Sequence, residues 1–266
     1  MKKNRVFKFI LILFLFFNFL ILSGCSIKKE KLSDLDIIKQ RGYIIIGVKS
    51  DSPPFGYYDK DNKLVGLDIE ISKKIAQYVF DDSSPDKYKL VTVSPQNRIS
   101  KLNSKEVDVL VATMSVNDKR KLVIDFSSPY YMINQKIMVK KNSKINNIQY
   151  FNKNGKLVVV MGTTGDKIVR MILPNAYVIG AKTYNEAINY LKNNQVDAIL
   201  GDDAILNGLN NGEYKIINRS YSREFYAVAV RKSADSKELL NKINSVIATI
   251  LDEKKINFVN KVTILD

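Results

Sequence analysis

The sequence predicts an α/β fold made of two lobes that are joined by a two-strand hinge. Short runs of β-branched residues alternate with amphipathic stretches, as in parallel strands with crossover helices. A weak internal echo, "LNSKEVDVL" (102–110) and "LKNNQVDAI" (191–199), falls at the same place in two successive alternations. The apolar strand "FYAVAVRK" (225–232) and the amphipathic helix after it indicate that the chain returns to complete its first lobe.

The first half of the chain contains three predicted strands. They are "YIIIGV" (43–48), "YKLVTV" (88–93) and "VDVLVA" (107–112). The stretch "GLDIEISKKIAQYVF" (66–80) gathers its isoleucines largely on one face, so we expect a helix there. The segment "PQNRISKLNSK" predicts a second, short helix with Pro95 at its start.

The second half repeats this scheme. Its predicted strands are "QKIMVKK", "KLVVVMG" (156–162), "AYVIGA" and "VDAILG" (196–201). Its predicted helices begin near Thr164 and within "YNEAINYLKNN" and "DDAILNGL". We therefore expect lobe 1 to comprise residues 41–132 and 226–266, and lobe 2 to comprise residues 133–225, so that the chain crosses near residues 133 and 225.

The N-terminus carries the pattern of an export signal. Four basic residues precede Phe9–Leu22, which is apolar except for Asn18. This run is short for a membrane span, which needs about 20 apolar residues, but it is typical of a signal peptide. It ends in "LSGC", which resembles the lipobox of bacterial lipoproteins, in which Cys25 is lipidated and becomes the new N-terminus.

We therefore expect residues 1–24 to be removed and residues 25–40 to form a tether that runs into a short first helix. The mature protein would then be lipid-anchored to the outer face of the cell membrane. A plain signal anchor and an ordinary secretory signal are the alternatives.

The composition excludes several classes of function. The chain has no histidine, which excludes Ser-His and Cys-His catalysis and histidine metal sites. Cys25 is the single cysteine, so the chain cannot form an internal disulfide. The net charge is +15 and becomes +11 when the four basic residues of the signal are removed. Because the lysines are scattered, we expect a solvated surface near an anionic envelope and no nucleic-acid partner.

Polar side chains follow the two echoed strands. In open α/β sheets, ligands lie beyond the carboxyl ends of the strands. The first strand ends at Thr113 and Ser115, with Arg120 five residues further on, and the second ends in "GDD" (201–203). A third strand end, "GTTGD" (162–166), opens a helix, whose N-terminal N–H groups suit an anion. A cation with hydroxyls on one wall and an acid on the other suits a small zwitterion such as an α-amino acid.

Four motifs occur in order over about residues 43–250. They are "GVKSDSPPFGYYDKDNKLVGLDIEISKKIA", "VDVLVATMSVNDKRKLVIDFSSPYY", "VVVMGTTGD" and "VDAILGDD". Together they resemble family 3 of the bacterial solute-binding proteins, which serve amino-acid ABC importers. The resemblance implies a two-lobed, type II periplasmic-binding-protein-like fold. It also implies a monomer without a cofactor, which binds a free amino acid and delivers it to permease subunits.

The resemblance gives roles to three residues of lobe 1. Arg120 falls on the arginine that grips the ligand α-carboxylate, for which a bidentate guanidinium is better suited than lysine. Ser115 falls on the hydroxyl that supports this carboxylate, and Thr113 falls on a position that contributes backbone contacts. The alternative for Ser115 and Thr113 is that their hydroxyls only satisfy a turn.

In lobe 2 the resemblance places Asp202 on the acid that takes the α-ammonium, with a plain helix N-cap as the alternative. Thr164, with Thr163, falls on the turn that donates N–H and hydroxyl groups. For the ligand side chain, Arg98 resembles the arginine of members that take acidic or polar amino acids, and Lys49 could add positive charge. We expect glutamate, aspartate or glutamine, with cystine or another polar amino acid behind them; Arg98 could instead be a surface arginine.

Two other functions remain alternatives. The protein could be a ligand-sensing subunit that presents its closed form to a membrane receptor. It could also be an enzyme of the cyclohexadienyl dehydratase type, which resembles this family. Such an enzyme needs a general acid in the cleft, and the motifs place only Asp202 and Asp203 there. We therefore expect a binding protein and not an enzyme.

Overall fold

The computed structural model describes residues 31–153 and 155–263, with side chains up to residue 252. The predicted signal peptide and Cys25 lie outside the described residues. The helices are α1 (Asp34–Arg41), α2 (Leu67–Phe80), α3 (Arg98–Asn103), α4 (Asp118–Lys121), α5 (Thr164–Ile172), α6 (Tyr184–Lys192), α7 (Asp203–Leu209) and α8 (Lys237–Thr263). None of these helices is both long and apolar enough to cross a lipid bilayer.

The strands are β1 (Ile44–Val48), β2 (Asp51–Ser52), β3 (Gly56–Tyr58), β4 (Leu64–Val65), β5 (Tyr88–Thr92), β6 (Val109–Val111), β7 (Ile124–Lys140), β8 (Lys156–Val160), β9 (Tyr177–Ala181), β10 (Ala198–Asp202), β11 (Tyr214–Ile216) and β12 (Ser222–Arg231). The predicted strands are all present, several with shifted ends. The small sheet of β2, β3 and β4 was not predicted.

Nine strands form one mixed sheet in the order β5-β1-β6-β12-β7-β10-β8-β9, with β11 paired to β7. The pairs β1/β5, β1/β6, β8/β9 and β8/β10 are parallel, whereas β7 and β12 pair antiparallel with each other and with their neighbours. We call the part around β1, β5 and β6 lobe 1, and the part around β8, β9 and β10 lobe 2. The predicted plan of two α/β lobes joined by two strands is confirmed.

The two long strands β7 and β12 form the connection between the lobes. They pair from Gln135 and Ser222 to Ile124 and Arg231, with register shifts along the way. Ile133 lies opposite Glu224 in this ladder. The predicted crossing points near residues 133 and 225 therefore fall side by side on paired strands, while the lobe boundaries themselves remain a prediction.

The echoed sequences form the same connection in each lobe. In lobe 1, the Asp108 carboxylate accepts the Ile45 N–H at 2.7 Å, and the Asp108 N–H donates to the Ile45 carbonyl at 2.8 Å. In lobe 2, the Asp197 carboxylate accepts the Lys156 N–H at 2.8 Å, and the Asp197 N–H donates to the Lys156 carbonyl at 2.9 Å. Each aspartate thus ties the start of one strand to the start of its parallel neighbour, which explains why the Val-Asp pair recurs.

Helix α1 is part of the folded domain. Ser33 caps it through a reciprocal capping box with Asp36. Leu35 and Ile38 are fully buried against the rest of lobe 1. The Asp34 carboxylate lies 2.9 Å from the Arg231 guanidinium and also accepts a hydrogen bond from the Ser236 hydroxyl. These contacts join α1 to the returning C-terminal segment.

The Asp34–Arg231 pair predicts a measurable loss of stability. Both side chains are nearly buried, so Asp34→Ala leaves the guanidinium without its counter-charge and the Ser236 hydroxyl without its acceptor. We expect the free energy of unfolding in urea to fall by on the order of 3 kcal/mol. The control is Asp86→Ala, whose carboxylate is 73% exposed, and for which we expect a change within about 0.5 kcal/mol. Equal, small effects of both changes would contradict the packing of α1.

Candidate ligand-binding site

The predicted ligand-binding residues line one narrow cavity between the lobes. They are Lys49, Arg98, Thr113, Ser115 and Arg120 from lobe 1 and Thr163, Thr164 and Asp202 from lobe 2, together with Pro95 and Tyr184. The cavity volume is about 10 Å³, so the side chains of the two lobes nearly meet in it. The cavity lies beyond the carboxyl ends of β1, β6, β8 and β10, where ligands bind in open α/β sheets.

Arg120 is held on a short helix at the cavity wall. The Asn117 side chain caps this helix by accepting the Arg120 N–H at 2.9 Å. The buried guanidinium donates to the Ser115 carbonyl at 2.7 Å and, across the cleft, to the Gly162 carbonyl at 3.3 Å. A guanidinium carries five N–H donors. These two bonds therefore fix its orientation and leave donors for an anion in the cavity.

The backbone after β6 adopts an unusual conformation. Thr113 has a φ of +46°, in the left-handed region that β-branched residues rarely adopt. Its N–H donates to the Asp68 carboxylate at 2.9 Å, and its carbonyl accepts from the Arg98 guanidinium at 3.2 Å. The Tyr130 hydroxyl donates to the other Asp68 oxygen at 2.9 Å. Asp68 and Arg98 thus hold Thr113 in the strained turn that carries the predicted carboxylate contacts.

The Asp68 carboxylate is desolvated in this position. It is fully buried at the start of α2, and burial raises the pKa of its carboxyl group to about 6. The hydrogen bonds from Tyr130 and Thr113 act in the opposite direction. Because this pKa lies near 6, the carboxylate is largely ionised at neutral pH and can accept both bonds.

Two further cations face the cavity from lobe 1. Arg98 is 2% exposed, and its Nε atom has no hydrogen-bond partner among the residues that the structure describes. Burial, and then the nearby charge of Arg120, lowers the pKa of Arg98 to about 9. The Lys49 ammonium lies 2.7 Å from the Asp51 carboxylate. Lobe 1 therefore contributes two further positive groups to the cavity lining, and these suit an oxygen-bearing side chain.

Asp202 forms the acidic wall of lobe 2. It ends β10 and occupies the N-cap position of α7, but its side chain makes no capping hydrogen bond. Its carboxylate instead accepts hydrogen bonds from the Tyr226 hydroxyl on β12 and from the Gln135 amide on β7. Burial raises the pKa of Asp202 to about 6, and the bond from Tyr226 opposes this rise. The carboxylate is therefore available to a cation in the cavity at neutral pH.

The two threonines use their hydroxyls within the protein. The Thr163 hydroxyl donates to the Val160 carbonyl at 2.7 Å and caps α5 by accepting the Asp166 N–H at 3.3 Å. The Thr164 hydroxyl donates to the Glu224 carboxylate at 2.7 Å. What this turn can offer to a ligand is therefore its backbone N–H groups, since the first N–H groups of a helix have no intrahelical acceptor.

Several residues of this site were not predicted from the sequence. They are Asp51, Asp68, Gln135, Glu224 and Tyr226. Asp51 and Asp68 lie within the first family-like motif and carried no separate signal. Gln135 and Tyr226 are fully buried in the long strands β7 and β12. Gln135 stands among apolar residues in "YYMINQKIMV" (130–139), and that pattern could have drawn attention to it.

The family described as "Bacterial extracellular solute-binding proteins, family 3" matches residues 44–261. The chain belongs to this family. Its fold is accordingly the two-lobed binding-protein fold, as predicted. The family is extracellular, which places the chain in the cell envelope.

Relatives agree with this assignment. The ABC transporter glutamine-binding protein GlnH of Bacillus subtilis is 35% identical over 82% of this chain and 81% of its own length. A cysteine-binding protein from Campylobacter jejuni has a similar structure, with a TM-score of 0.79, 31% identity and coverage of 87% and 93% of the two chains. The arginine-bound form of ArgBP from T. maritima gives a TM-score of 0.74 at 31% identity, covering 81% and 99%. The chain is thus an amino-acid-binding protein of the ABC transporter class and not an enzyme.

The hydrogen bond from Tyr226 predicts how Asp202 titrates. Because the hydroxyl stabilises the ionised carboxylate, Tyr226→Phe should raise the pKa of Asp202 above its value of about 6. The fraction of ionised Asp202 at neutral pH should fall accordingly. Carboxyl ¹³C NMR titration of the ligand-free protein measures this shift. The control is Tyr58→Phe, at a half-exposed tyrosine; an unchanged midpoint in Tyr226→Phe would contradict the proposed bond.

Proposed function

We propose that this protein captures glutamate, aspartate or glutamine between its lobes and presents the closed form to an ABC permease. One observation carries this proposal: the Arg120 guanidinium of lobe 1 and the buried Asp202 carboxylate of lobe 2 line the same narrow cavity. The α-carboxylate of an amino acid would pair with Arg120, and its α-ammonium would pair with Asp202.

The placement of these two charges on different lobes supports closure by the ligand. With the lobes apart, the ligand can satisfy only one of its charges at a wall. With the lobes together, both charges are paired. A ligand shifts an equilibrium only by its different affinity for the two states, and this arrangement supplies that difference. The paired strands β7 and β12 would serve as the hinge.

The side-chain preference follows from the two further cations that line the cavity from lobe 1. Arg98 has an unpartnered buried donor, and Lys49 lies beside it on the same wall. Carboxylate or amide oxygens of the ligand can accept from both. A cationic side chain would meet like charges in a desolvated space, so we infer that arginine and lysine are rejected, although a structural neighbour is described as arginine-bound. The name of the B. subtilis relative supports glutamine as one candidate.

Anchoring by lipid at Cys25 is part of the proposal. It is supported by the sequence "LSGC" after the apolar run and by the extracellular family to which the chain belongs. We also propose that the protein works as a monomer, because the site is built from both lobes of one chain.

Arg120→Ala tests the site assignment. The change leaves the ligand carboxylate without its main partner, a loss on the order of 2–5 kcal/mol. We expect the dissociation constant for the best amino acid, measured by calorimetry, to rise about 30-fold or more. Arg170→Ala is the control, because Arg170 is exposed and pairs with Asp166 on the surface. Unchanged binding by Arg120→Ala would refute the assignment.

A ligand panel tests the side-chain preference. We expect the wild type to bind glutamate, aspartate or glutamine at least about 100-fold more tightly than arginine or lysine, since juxtaposed like charges cost several kcal/mol. Arg98→Met keeps an apolar stem of similar length but removes the charge. It should weaken binding of the preferred ligand and reduce the discrimination. Tight binding of arginine by the wild type would overturn the preference while leaving the amino-acid-binding class intact.

Cys25→Ser tests the anchor. The lipid is attached through the thiol of Cys25, so the variant should lose incorporation of labelled fatty acid and move from the membrane fraction to the soluble fraction. Fractionation and fatty-acid labelling of expressing cells measure both effects. Equal labelling of the variant and the wild type would show that the anchor lies elsewhere.

A further inference from the structure

Three side chains of lobe 1 that lie outside the hinge strands make hydrogen bonds across the cleft beside the ligand cavity. Arg120 donates to the Gly162 carbonyl at 3.3 Å, and the exposed Gln96 side chain donates to the Met161 and Lys182 carbonyls at 2.8 and 3.4 Å. The third side chain is that of Asp51, whose carboxylate accepts the Tyr184 N–H at 2.8 Å. Asp51 is the one acid among these residues, and it is 6% exposed. Its contact therefore forms in a desolvated part of the interface, where it has most effect.

The two oxygens of Asp51 contact different lobes. Oδ1 lies 2.7 Å from the Lys49 ammonium on its own lobe, and Oδ2 accepts from Tyr184 on lobe 2. Lys49 in turn lines the ligand cavity. Burial lowers the pKa of Lys49, and the charge of Asp51 opposes that effect. Asp51 thus keeps Lys49 charged and oriented while it contacts the other lobe.

Asp51 provides a hydrogen-bond acceptor for a backbone N–H group in the first turn of α6. Tyr184 is the first residue of that helix, so its N–H has no acceptor within the helix. The N-cap residue Thr183 uses its hydroxyl for the Glu186 N–H instead. A negative charge is also favourable at a helix N-terminus. Parting of the lobes would take this carboxylate away from a buried N–H, which makes the contact specific to the closed form.

The segment that carries Asp51 also fits closely against α7 of lobe 2. A Cβ atom added at Gly208 would come within 2.4 Å of the Pro53 carbonyl oxygen. The glycine therefore allows this approach, since backbone atoms on both sides cannot move aside easily. Asp51 and Pro53 belong to a single short segment that docks on lobe 2.

We propose that Asp51 is a positioning residue that couples the side-chain end of the ligand cavity to closure of the lobes. The inference rests on the proposed function, in which an amino acid is bound between closed lobes. The Asp51 carboxylate holds the Lys49 ammonium toward the ligand and also joins lobe 1 to the N-terminus of α6 through its hydrogen bond with the Tyr184 N–H. We call this hydrogen bond the latch. A ligand that engages Lys49 therefore favours the arrangement in which the latch is formed.

A double-mutant cycle with Asp51→Ala and Lys49→Met tests the latch. Coupling of this kind is worth about 5- to 150-fold in affinity, so we expect Asp51→Ala to weaken binding of the best amino acid about tenfold or more, mainly through faster dissociation. The loss should persist in the Lys49→Met background. If it disappears there, Asp51 only neutralises Lys49, and the latch is refuted. Glu70→Gln, at an exposed carboxylate, is the control for loss of a negative charge.

Amide hydrogen exchange at Tyr184 gives a readout that a general loss of stability would not reproduce. In the ligand-saturated wild type this amide should be protected; in Asp51→Ala it should exchange faster, while amides in the middle of α6 stay unchanged. Asp51→Asn keeps an acceptor oxygen without the charge and should retain part of the protection. Equal protection of Tyr184 in the wild type and Asp51→Ala would overturn the proposal.

Gly208→Ala tests the same docking without changing any residue of the cavity. Alanine usually stabilises a helix relative to glycine, so loss of folding is not expected. The added Cβ should nevertheless hinder closure and weaken ligand binding, and unchanged affinity would argue against the docking of the Asp51 segment on α7. Failure of the wild type to bind any amino acid would instead refute the proposed function. Tight wild-type binding with unaffected Asp51→Ala would refute the latch alone.

Discussion

The site depends on one buried carboxylate that both connecting strands hold. Asp202 lies where β10 ends, and its two donors come from different hinge strands, Gln135 from β7 and Tyr226 from β12. A carboxylate is buried at high cost unless it is hydrogen-bonded, so these donors are required wherever Asp202 is kept from water. The group that is expected to meet the ligand ammonium is therefore attached to the strands about which the lobes would turn.

Neither lobe alone presents both of the charges that pair with an amino acid. Lobe 1 brings Arg98, Arg120 and Lys49, and lobe 2 brings Asp202. Asp68 and Asp51 offset part of this positive charge from behind the cavity wall. Since electrostatic interactions strengthen as water is excluded, the attraction between the walls and a zwitterion increases during closure. The same exclusion of water raises the free-energy cost of binding a ligand whose charges do not match those of the walls.

The sequence predicted the parts of this protein that follow from local pattern. Arg120 and Asp202 were predicted as site residues because they follow the ends of apolar strands. The repeated Val-Asp pair indicated two lobes. Residues that act through distant partners gave no such signal. Asp68 reaches Thr113 across 45 positions of the chain, and Asp51 reaches Tyr184 across 133. Their roles depend on which backbone N–H groups the fold leaves without an acceptor, and that depends on tertiary structure.

The twin aspartate connections have a calorimetric consequence. Asp108 and Asp197 tie neighbouring strands together inside their own lobes, so neither contact crosses the cleft. Rotation of one lobe relative to the other can therefore leave the hydrogen-bonded ladders between strands inside both lobes intact. The heat and the heat-capacity change of ligand uptake then arise from the cavity, its occupant and the surfaces that meet across the cleft, and not from rupture of these ladders. Titration calorimetry of this protein would consequently report the chemistry of recognition with little contribution from refolding.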